Sequence, residues 1–279
     1  DVSQPSPRDN HVLVKIHNAT VTMGDCEIRA FRIPAPYWLP LRIILGTIKP
    51  KPGIFGQEFS GVVESVGIGV KDLKVNDSVF GPTTIRLGAH AEYISIPEAY
   101  LTKFDPKKMT YAQAATIPTG GLNGLHFVRK ANIQREEQVL INGAGGSIGT
   151  YALQFAKALG AEVTCVDRDI KLEMLRKLGA DIVIDYAQTD FTRNGKSYDV
   201  IIDVVGRSSF SGCLKSLKPQ GRYVLGNPSI SGMARGLWTS VVSGRKVFFQ
   251  MANYKKANLL HIKNLIEEGK IAPVIDKSF

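Results

Sequence analysis

The chain is poor in cysteine, with three among 279 residues (Cys26, Cys165 and Cys213) and no C-x-x-C pair. That excludes a disulfide framework and a cysteine-built metal lobe, and it suits a reducing, cytoplasmic setting. Cys26 reads as a small, buried apolar side chain. No run of about 18 apolar residues occurs, so no membrane-spanning helix is expected. The most apolar stretch, Ile33–Ile48, is broken by Pro34, Pro36, Pro40 and Arg42. It reads as too proline-rich for one helix, and equally as an apolar flap over a cleft or as a segment buried against the β domain. Internal repeats and low-complexity linkers are also missing, as are a Ser–His–Asp arrangement, a carboxylate pair and a His/Cys cluster. Acid is in the minority, 25 Asp+Glu against 35 Lys+Arg, for a formal net charge of +10. The cations are scattered, with only short pairs such as Lys107-Lys108 and Lys255-Lys256. A surface that attracts anionic cofactors fits this pattern better than a nucleic-acid reader does.

What is present is an ordinary globular composition, 44% hydrophobic and 22% charged, at a length that suits two domains. Residues 11–104 read as short strands and turns: His11–His17, Phe59–Val66, Asp77–Phe80 and Ala91–Ile96, densely punctuated by Gly and Pro. The character changes near Thr110, where a capped, Ala-rich helix start precedes helical Leu122–Lys130. From Gln138 onward, apolar strand-like runs alternate with helical patterns, the signature of a parallel sheet covered on both faces. Lys246–Met251 is its expected last strand, Lys255–Glu268 a long amphipathic helix, and Ala272–Phe279 a further strand. The expected domains are 1–110, mainly β; 111–268, doubly wound α/β; and 269–279, a strand returning to the first domain.

The most informative segment is VLINGAGGSIGT at 139–150. A strand ends in a glycine turn and a helix begins, the order a pyrophosphate needs if it is to lie against helix N–H groups. Gly143, Ala144, Gly146, Ser147 and Ile148 are expected to line the pyrophosphate, and Gly149 to let helix and strand pack closely. Asp167 ends the next apolar run, 18 residues past Gly149, close to where an acid holds the adenosine ribose. It favours NAD, whereas Arg168 and Lys171 could pair with the extra phosphate of NADP. The cofactor expectation is therefore NAD(P)H, with the two left open. Val204, Val205, Gly226 and Asn227 follow later strands and are expected beside the nicotinamide half.

Several segments in the same order resemble one family: HVLVK (11–15), GQEFSGVVE (56–64), NDSVFG (76–81), AEYISIPE (91–98), AATIP (114–118), the glycine turn, and LGADIVIDY (178–186). The chain resembles a zinc-independent quinone oxidoreductase of the medium-chain dehydrogenase/reductase superfamily. The resemblance implies a Rossmann nucleotide domain plus a mainly β, GroES-like barrel domain. It also implies that both ends of the chain are truncated relative to full-length members. Zinc-dependent relatives bind their metal through an early Cys, a His in Gly-His-Glu and a later Cys. Thr22, Gln57 and Thr119 stand at the matching positions, and none is an effective zinc ligand. Neither catalytic nor structural zinc is expected.

By the same resemblance, Tyr186 matches a tyrosine near the adenosine in NADP-using relatives. Asn123 matches a residue on the nicotinamide side, and Thr119 is counted among the cofactor contacts. The catalytic candidates are Thr22, Asp25, Tyr37 and Gln57, with Tyr93 another polar residue of the cleft-bordering segments. Asp25 reads equally as a structural ion-pair partner, Gln57 as a backbone-bonding residue, and Tyr37 as a proton donor or a partly buried aromatic. The expected function is hydride transfer from NAD(P)H to a quinone or activated double bond of a small lipophilic acceptor. Alternatives are an enoyl-thioester reductase, a zinc-free alcohol or carbonyl oxidoreductase, and an NAD(P)-binding regulatory or RNA-binding protein. Relatives pair edge strands of the nucleotide domain, so a homodimer is expected, with Lys246–Met251 at the edge.

Overall fold

The computed structural model describes the chain except residues 1, 33–34, 47–52 and 250–251 and the side chains of 35–37 and 44–45. Two compact units emerge, one of residues 1–33, 37–122 and 254–279, the other of 34–36 and 123–253. Both boundaries therefore differ from the sequence expectation. Residues 111–122 and the long helix near the end of the chain fall in the first unit.

In the first unit, β1 (His11–Ala19) is followed by α1 (Met23–Arg29). Next comes α2 (Ala35–Leu45), then β2 (Glu58–Val66), β3 (Ser78–Pro82), β4 (Tyr93–Pro97) and β5 (Thr102–Lys103). The strands form an antiparallel sheet in the order β4-β1-β2-β3-β5. Alternation places Val12 and Val14 of β1, Val63 of β2 and Ile94 and Ile96 of β4 in one core with Phe59, Val79 and Leu101. Register shifts at Leu13/Val14 and Ile16/Asn18 bend β1 as bulges do.

The expectation that Ile33–Ile48 is too proline-rich for a helix is corrected by α2. Pro36 sits in its first turn, where an N–H has no intrahelical partner, so only Pro40 removes a ladder bond. Trp38, Leu39 and Ile43 remain exposed. Phe31 packs edge-on against Trp38 at 5.7 Å and lies under the Arg42 guanidinium at 4.6 Å.

After α3 (Tyr111–Ala115), capped by a Thr110/Gln113 capping box, a π-helical turn at Ile117–Gly121 leads into α4 (Leu122–Ala131). The second unit continues with β6 (Gln138–Asn142), α5 (Ser147–Ala158), β7 (Glu162–Asp167), α6 (Asp169–Lys177), β8 (Ile182–Asp185) and β9 (Tyr198–Asp203). It ends with α7 (Phe210–Lys215), β10 (Leu217–Leu225), α8 (Ile230–Val242) and β11 (Lys246–Phe248). All strands pair in parallel, in the order β11-β10-β9-β6-β7-β8. Reading from β8, the first three strands run 3-2-1 and the next three 4-5-6, so the order reverses between β6 and β9. That is the doubly wound arrangement whose ligand crevice opens where the order reverses. The near-continuous apolar runs of β6 and β9 follow from burial on both faces: Leu140, Ile141, Val200, Ile201 and Ile202 are all inaccessible to solvent.

The long helix α9 (Lys256–Glu267) buries Leu259, Ile262 and Ile266. Ile262 packs against the π-helical turn, where a Cβ on Gly121 would stand 3.2 Å from its Cδ1. This apolar stripe joins α9 to the first unit. Ala272–Phe279, expected as a strand, is without regular structure. No partner strand pairs with it among the described residues, and an extended backbone without a ladder is not a strand.

Candidate functional site

The glycine turn lies at the reversal of strand order. Gly143 leaves β6 with φ +81°, a left-handed conformation that glycine adopts at no steric cost. Gly143 and Ala144 N–H donate to Val166 O at 3.0 and 3.2 Å, folding the turn back over β7. Gly149 meets the turn from the helix side. A Cβ there would stand 2.3 Å from Gly143 O and 2.6 Å from Ala144 Cα, so only glycine permits this approach. Gly146 is the N-cap of α5 and offers no side-chain cap, leaving the first-turn N–H groups of the helix without the oxygen a Ser or Asp would bring. Its own missing Cβ would meet only Gly143 O, at 3.5 Å. An uncapped helix start beside an open glycine face is a cradle for an anion, so the residues present fit a dinucleotide pyrophosphate.

At the end of β7, Asp167 turns inward. Its Oδ2 accepts Gly145 N–H at 2.7 Å and its Oδ1 accepts Arg168 N–H at 2.8 Å. Lys171 Nζ donates to Gly145 O at 3.0 Å and stands 4.0 Å from the same carboxylate. The Asp167 side chain is only 11% exposed. Arg168 points outward, its Nε donating to the Tyr186 hydroxyl at 2.7 Å, and Tyr186 is half exposed at the end of β8. The structure thus brings Asp167, Arg168, Lys171 and Tyr186 together, with the Asp167 carboxylate turned into the fold and Arg168 and Tyr186 exposed.

The ends of β6 and β9 are tied by Asp203, which is wholly buried. Its Oδ1 accepts Asn142 Nδ2 and Gly206 N–H, both at 2.9 Å, and its Oδ2 accepts the Tyr223 hydroxyl at 3.0 Å. Burial and this carboxylate push the Tyr223 phenol up, so it stays protonated and donates. Three donors fix the turn carrying Val204 and Val205. The motif was legible as DVVG, but the bond from Tyr223 depends on β10 lying beside β9. A cavity of about 620 Å³ opens here, lined by Val205, Gly206, Arg207, Asn227, Ser229 and Ile230 among others. Val204 and Gly226 precede lining residues Val205 and Asn227 and pack on each other, a Cβ on Gly226 standing 3.1 Å from Val204 Cα. Asn123 is buried, and its Oδ1 accepts Ala252 N–H at 3.2 Å, a bond within the fold.

The remaining candidates gather in the first unit. Thr22 and Asp25 form the capping box of α1: Asp25 Oδ2 accepts the Thr22 N–H at 2.9 Å and its hydroxyl at 2.7 Å. Asp25 thus caps the helix, and among the described residues no ion pair with it is seen. Gln57 Nε2 reaches the Thr22 hydroxyl at 3.5 Å, a long contact. Tyr93 lies on β4 opposite Lys15. Tyr37 belongs to α2, but its side chain lies outside the described residues.

The residue that sequence reading passed over is Glu58, next to Gln57 and almost wholly buried. Its Oε1 accepts the Thr20 hydroxyl at 2.6 Å and its Oε2 accepts Thr119 N–H at 2.7 Å. Burial pushes its carboxyl up to about 7, against the lowering effect of those donors, and Asp25 adds to the rise. The signal was an acid inside the apolar strand pattern of 58–63, where a lone charge is not expected without partners. Among the described residues, no three His, Cys, Asp or Glu side chains lie close enough to hold a metal. Cys26, expected to be buried, is exposed, because Asp25 takes the inward position of α1 to close the cap. Burial pushes the Cys165 and Cys213 thiols up, which leaves them inert.

Two family descriptions match the chain, the alcohol dehydrogenase GroES-like domain over residues 8–106 and the zinc-binding dehydrogenase domain over 178–279. The mitochondrial NAD(P)H oxidoreductase RTN4IP1 of Bos taurus is 32% identical over 97% of this chain and 76% of its own length. The chain belongs to the medium-chain dehydrogenase/reductase superfamily. Membership makes it an NAD(P)H-dependent oxidoreductase with a Rossmann-like domain and a GroES-like domain. The 2-methylene-furan-3-one reductase of Solanum lycopersicum is 28% identical over 99% of this chain and 66% of its own length. Among solved structures, the quinone oxidoreductase of Coxiella burnetii matches with a TM-score of 0.85 and 26% identity, covering 99% of this chain and 84% of that one. Among the described residues, no helix of this superfamily member is long and apolar enough to cross a membrane.

Proposed function

We propose that this protein reduces a lipophilic quinone or an enone-type double bond with hydride from NADPH, without zinc. The observation that carries the reading is the uncapped start of α5 behind the open face of Gly146, at the point where the strand order reverses. Gly143, Ala144, Gly146, Ser147 and Ile148 would hold the pyrophosphate. Val204, Val205, Gly226 and Asn227 would border the nicotinamide ribose and ring, which supplies the hydride when bound. Asn123 and Thr119 are the remaining cofactor candidates, Asn123 through the fold contact it already makes.

The preference for NADPH rests on Asp167 and Arg168. Each oxygen of Asp167 already accepts a backbone N–H and the side chain is mostly buried, so a ribose diol would have to share a carboxylate the fold already holds. Arg168, oriented by Tyr186, and Lys171 offer cations that suit a phosphate.

The zinc-free reading rests on the donor set. Thr22, Gln57 and Thr119 bring hydroxyls and an amide where a metal would need thiolate or imidazole. Without a metal to stabilise an alkoxide, alcohol oxidation is the harder direction, and an electron-poor acceptor is the easier partner. The apolar members of the cavity lining, Val205 and Ile230, support a lipophilic acceptor. The proteins this chain resembles include a 2-methylene-furan-3-one reductase and a quinone oxidoreductase by name, which supports the same acceptor class. We also propose a homodimer through the edge strand β11, beside which α8 exposes Leu237, Trp238 and Val241. A cytoplasmic or other reducing compartment accords with the unpaired cysteines.

The deciding experiment follows nicotinamide absorbance with NADPH and NADH separately, over a panel of quinones and enones, with and without chelator. The expected result is turnover with NADPH that survives chelation. Loss of activity with chelator would overturn the zinc-free reading. Binding without turnover, together with salt-dependent RNA retention, would favour a regulatory protein.

A further inference from the structure

Where α1 ends, the chain carries a phenylalanine at a position that favours glycine. Phe31 N–H donates to Ile28 O at 3.1 Å and Arg32 N–H to Glu27 O at 2.8 Å, closing the last turn of the helix. Phe31 takes the left-handed conformation this closure needs, at φ +50°. Glycine adopts it freely and a bulky residue does not, so the cap alone does not account for Phe31. Its ring does. The ring meets Trp38 edge-on at 5.7 Å and lies under the Arg42 guanidinium at 4.6 Å. Trp38 and Arg42 are four residues apart on α2 and so share one row of the helix, which Phe31 holds. The adjoining row, Leu39 and Ile43, is left 61% and 57% exposed, and Trp38 itself is 46% exposed. Large apolar side chains gathered in water mark a contact surface.

The charge around this surface is of one sign. Between Glu27 and Glu58 the sequence holds five Lys or Arg and no acid. Lys49 and Lys51 lie outside the described residues. Arg29 and Arg32, on either side of Phe31 in the chain, are exposed. Among the described residues, no carboxylate pairs with Arg29, Arg32 or Arg42. The residues of this surface, from Arg29 to Arg32 and from Trp38 to Ile43, all belong to the first unit.

We propose that α2 docks on an anionic lipid surface, with Leu39 and Ile43 in the acyl boundary, Trp38 at headgroup level and the arginines on lipid phosphates. An apolar helical row beside a tryptophan and unpaired cations is the composition that binds such an interface in its plane. A second copy of this chain fits less well, because self-pairing would bring the same cations together. A purely ionic partner would leave the apolar row without a use. The lipophilic acceptor proposed above collects in the same bilayer. Only that consequence rests on the hydride-transfer reading, since docking needs neither coenzyme nor acceptor.

The test is co-sedimentation of coenzyme-free protein with vesicles of phosphatidylcholine alone and of a two-to-one mixture with phosphatidylserine. Binding to the mixed vesicles is expected to be at least tenfold tighter and to weaken as salt is raised. Arg29→Gln and Arg32→Gln should each weaken it about fivefold. Leu39→Asp combined with Ile43→Asp should weaken it at least tenfold; both side chains are exposed, so the urea midpoint should hold. The chain has two tryptophans, so Trp238→Phe leaves Trp38 as the single emitter. Its emission is expected to shift to the blue on the mixed vesicles and to be quenched by brominated acyl chains. Equal binding to both vesicles overturns the proposal. Binding with unchanged Trp38 emission, or indifferent to the Leu39 and Ile43 changes, overturns it in favour of a purely ionic contact. Binding lost in Val241→Asp on α8 but kept in the α2 variants overturns the choice of α2. Protein that docks as expected yet reduces no acceptor overturns the hydride-transfer reading alone.

Discussion

Two glycines of one motif, Gly149 and Gly146, are expected to fail for opposite reasons when replaced by alanine. In Gly149→Ala the new Cβ would sit 2.3 Å from Gly143 O, 2.6 Å from Ala144 Cα and 2.6 Å from Ala144 O. All three are backbone atoms of the turn that leaves β6, so none can yield by rotating a side chain. Relief requires α5 to move off the sheet, and overpacking of this kind costs about 1–3 kcal/mol. The small gain in helix propensity from Gly to Ala, at most about 1 kcal/mol, does not offset it. We expect a net loss of about 2 kcal/mol and, because the cradle itself moves, coenzyme binding weakened more than tenfold. Gly146→Ala is different. Its backbone is extended, at φ −90° and ψ 172°, and its Cβ would meet only Gly143 O at an ordinary 3.5 Å. Stability should fall by less than about 1 kcal/mol, the preference of an N-cap for Gly over Ala. The methyl group nevertheless occupies the open face of the turn, so coenzyme affinity should fall tenfold or more. Urea denaturation and fluorescence titration with NADPH separate the two cases. Gly149→Ala with unchanged stability would refute the packing argument. Gly146→Ala with an unchanged Kd would move the pyrophosphate away from this turn.

Other expectations follow from the side chains. If Arg168 holds the extra phosphate as proposed, Arg168→Ala removes a charge-assisted contact of about 1.5–3 kcal/mol, so KM for NADPH should rise about 10- to 100-fold while KM for NADH stays within about twofold; equal effects on both coenzymes would return the specificity to Asp167. Glu58 also links stability to pH. Its folded carboxyl is raised to about 7 from 4.5, so the folded state holds a proton that the unfolded chain releases. Its contribution is fully present below about pH 4.5 and is lost as pH rises through 7, a change of about 3 kcal/mol. The stability of Glu58→Gln relative to wild type should therefore rise between pH 5 and 8 in urea denaturation, and parallel pH curves would contradict the assigned burial. Trp238→Asp on the exposed face of α8 should shift sedimentation toward monomer; an unchanged sedimentation coefficient would place the dimer contact elsewhere.

Wherever a local rule operated, the sequence was legible. Hydrophobic alternation over His11–His17, strand and helix runs spaced a few residues apart from Gln138 onward, the Thr110 capping signal and the glycine turn at 143–149 all depend on neighbours within one element or one turn. The resemblance to the superfamily was legible for the same reason, being carried by short contiguous segments. Pattern failed where a rule was read too strictly. Pro40 lies inside α2 at the loss of one hydrogen bond, and Ala272–Phe279 has strand-like residues but no strand to pair with.

What the sequence by itself determined was the nucleotide fold and the position of its anion cradle, because strand, glycine turn and helix start are consecutive. Tertiary structure alone decided the state of the acids. Asp167 looks free in the sequence until Gly145 N–H, 22 residues away, is seen to hold one of its oxygens. Glu58 looks like a strand residue until Thr20, 38 positions earlier, and Thr119, 61 positions later, close on its carboxyl. A carboxylate's charge depends on which donors reach it and how much water they displace, and both are set by chain segments that meet only when the sheet has formed.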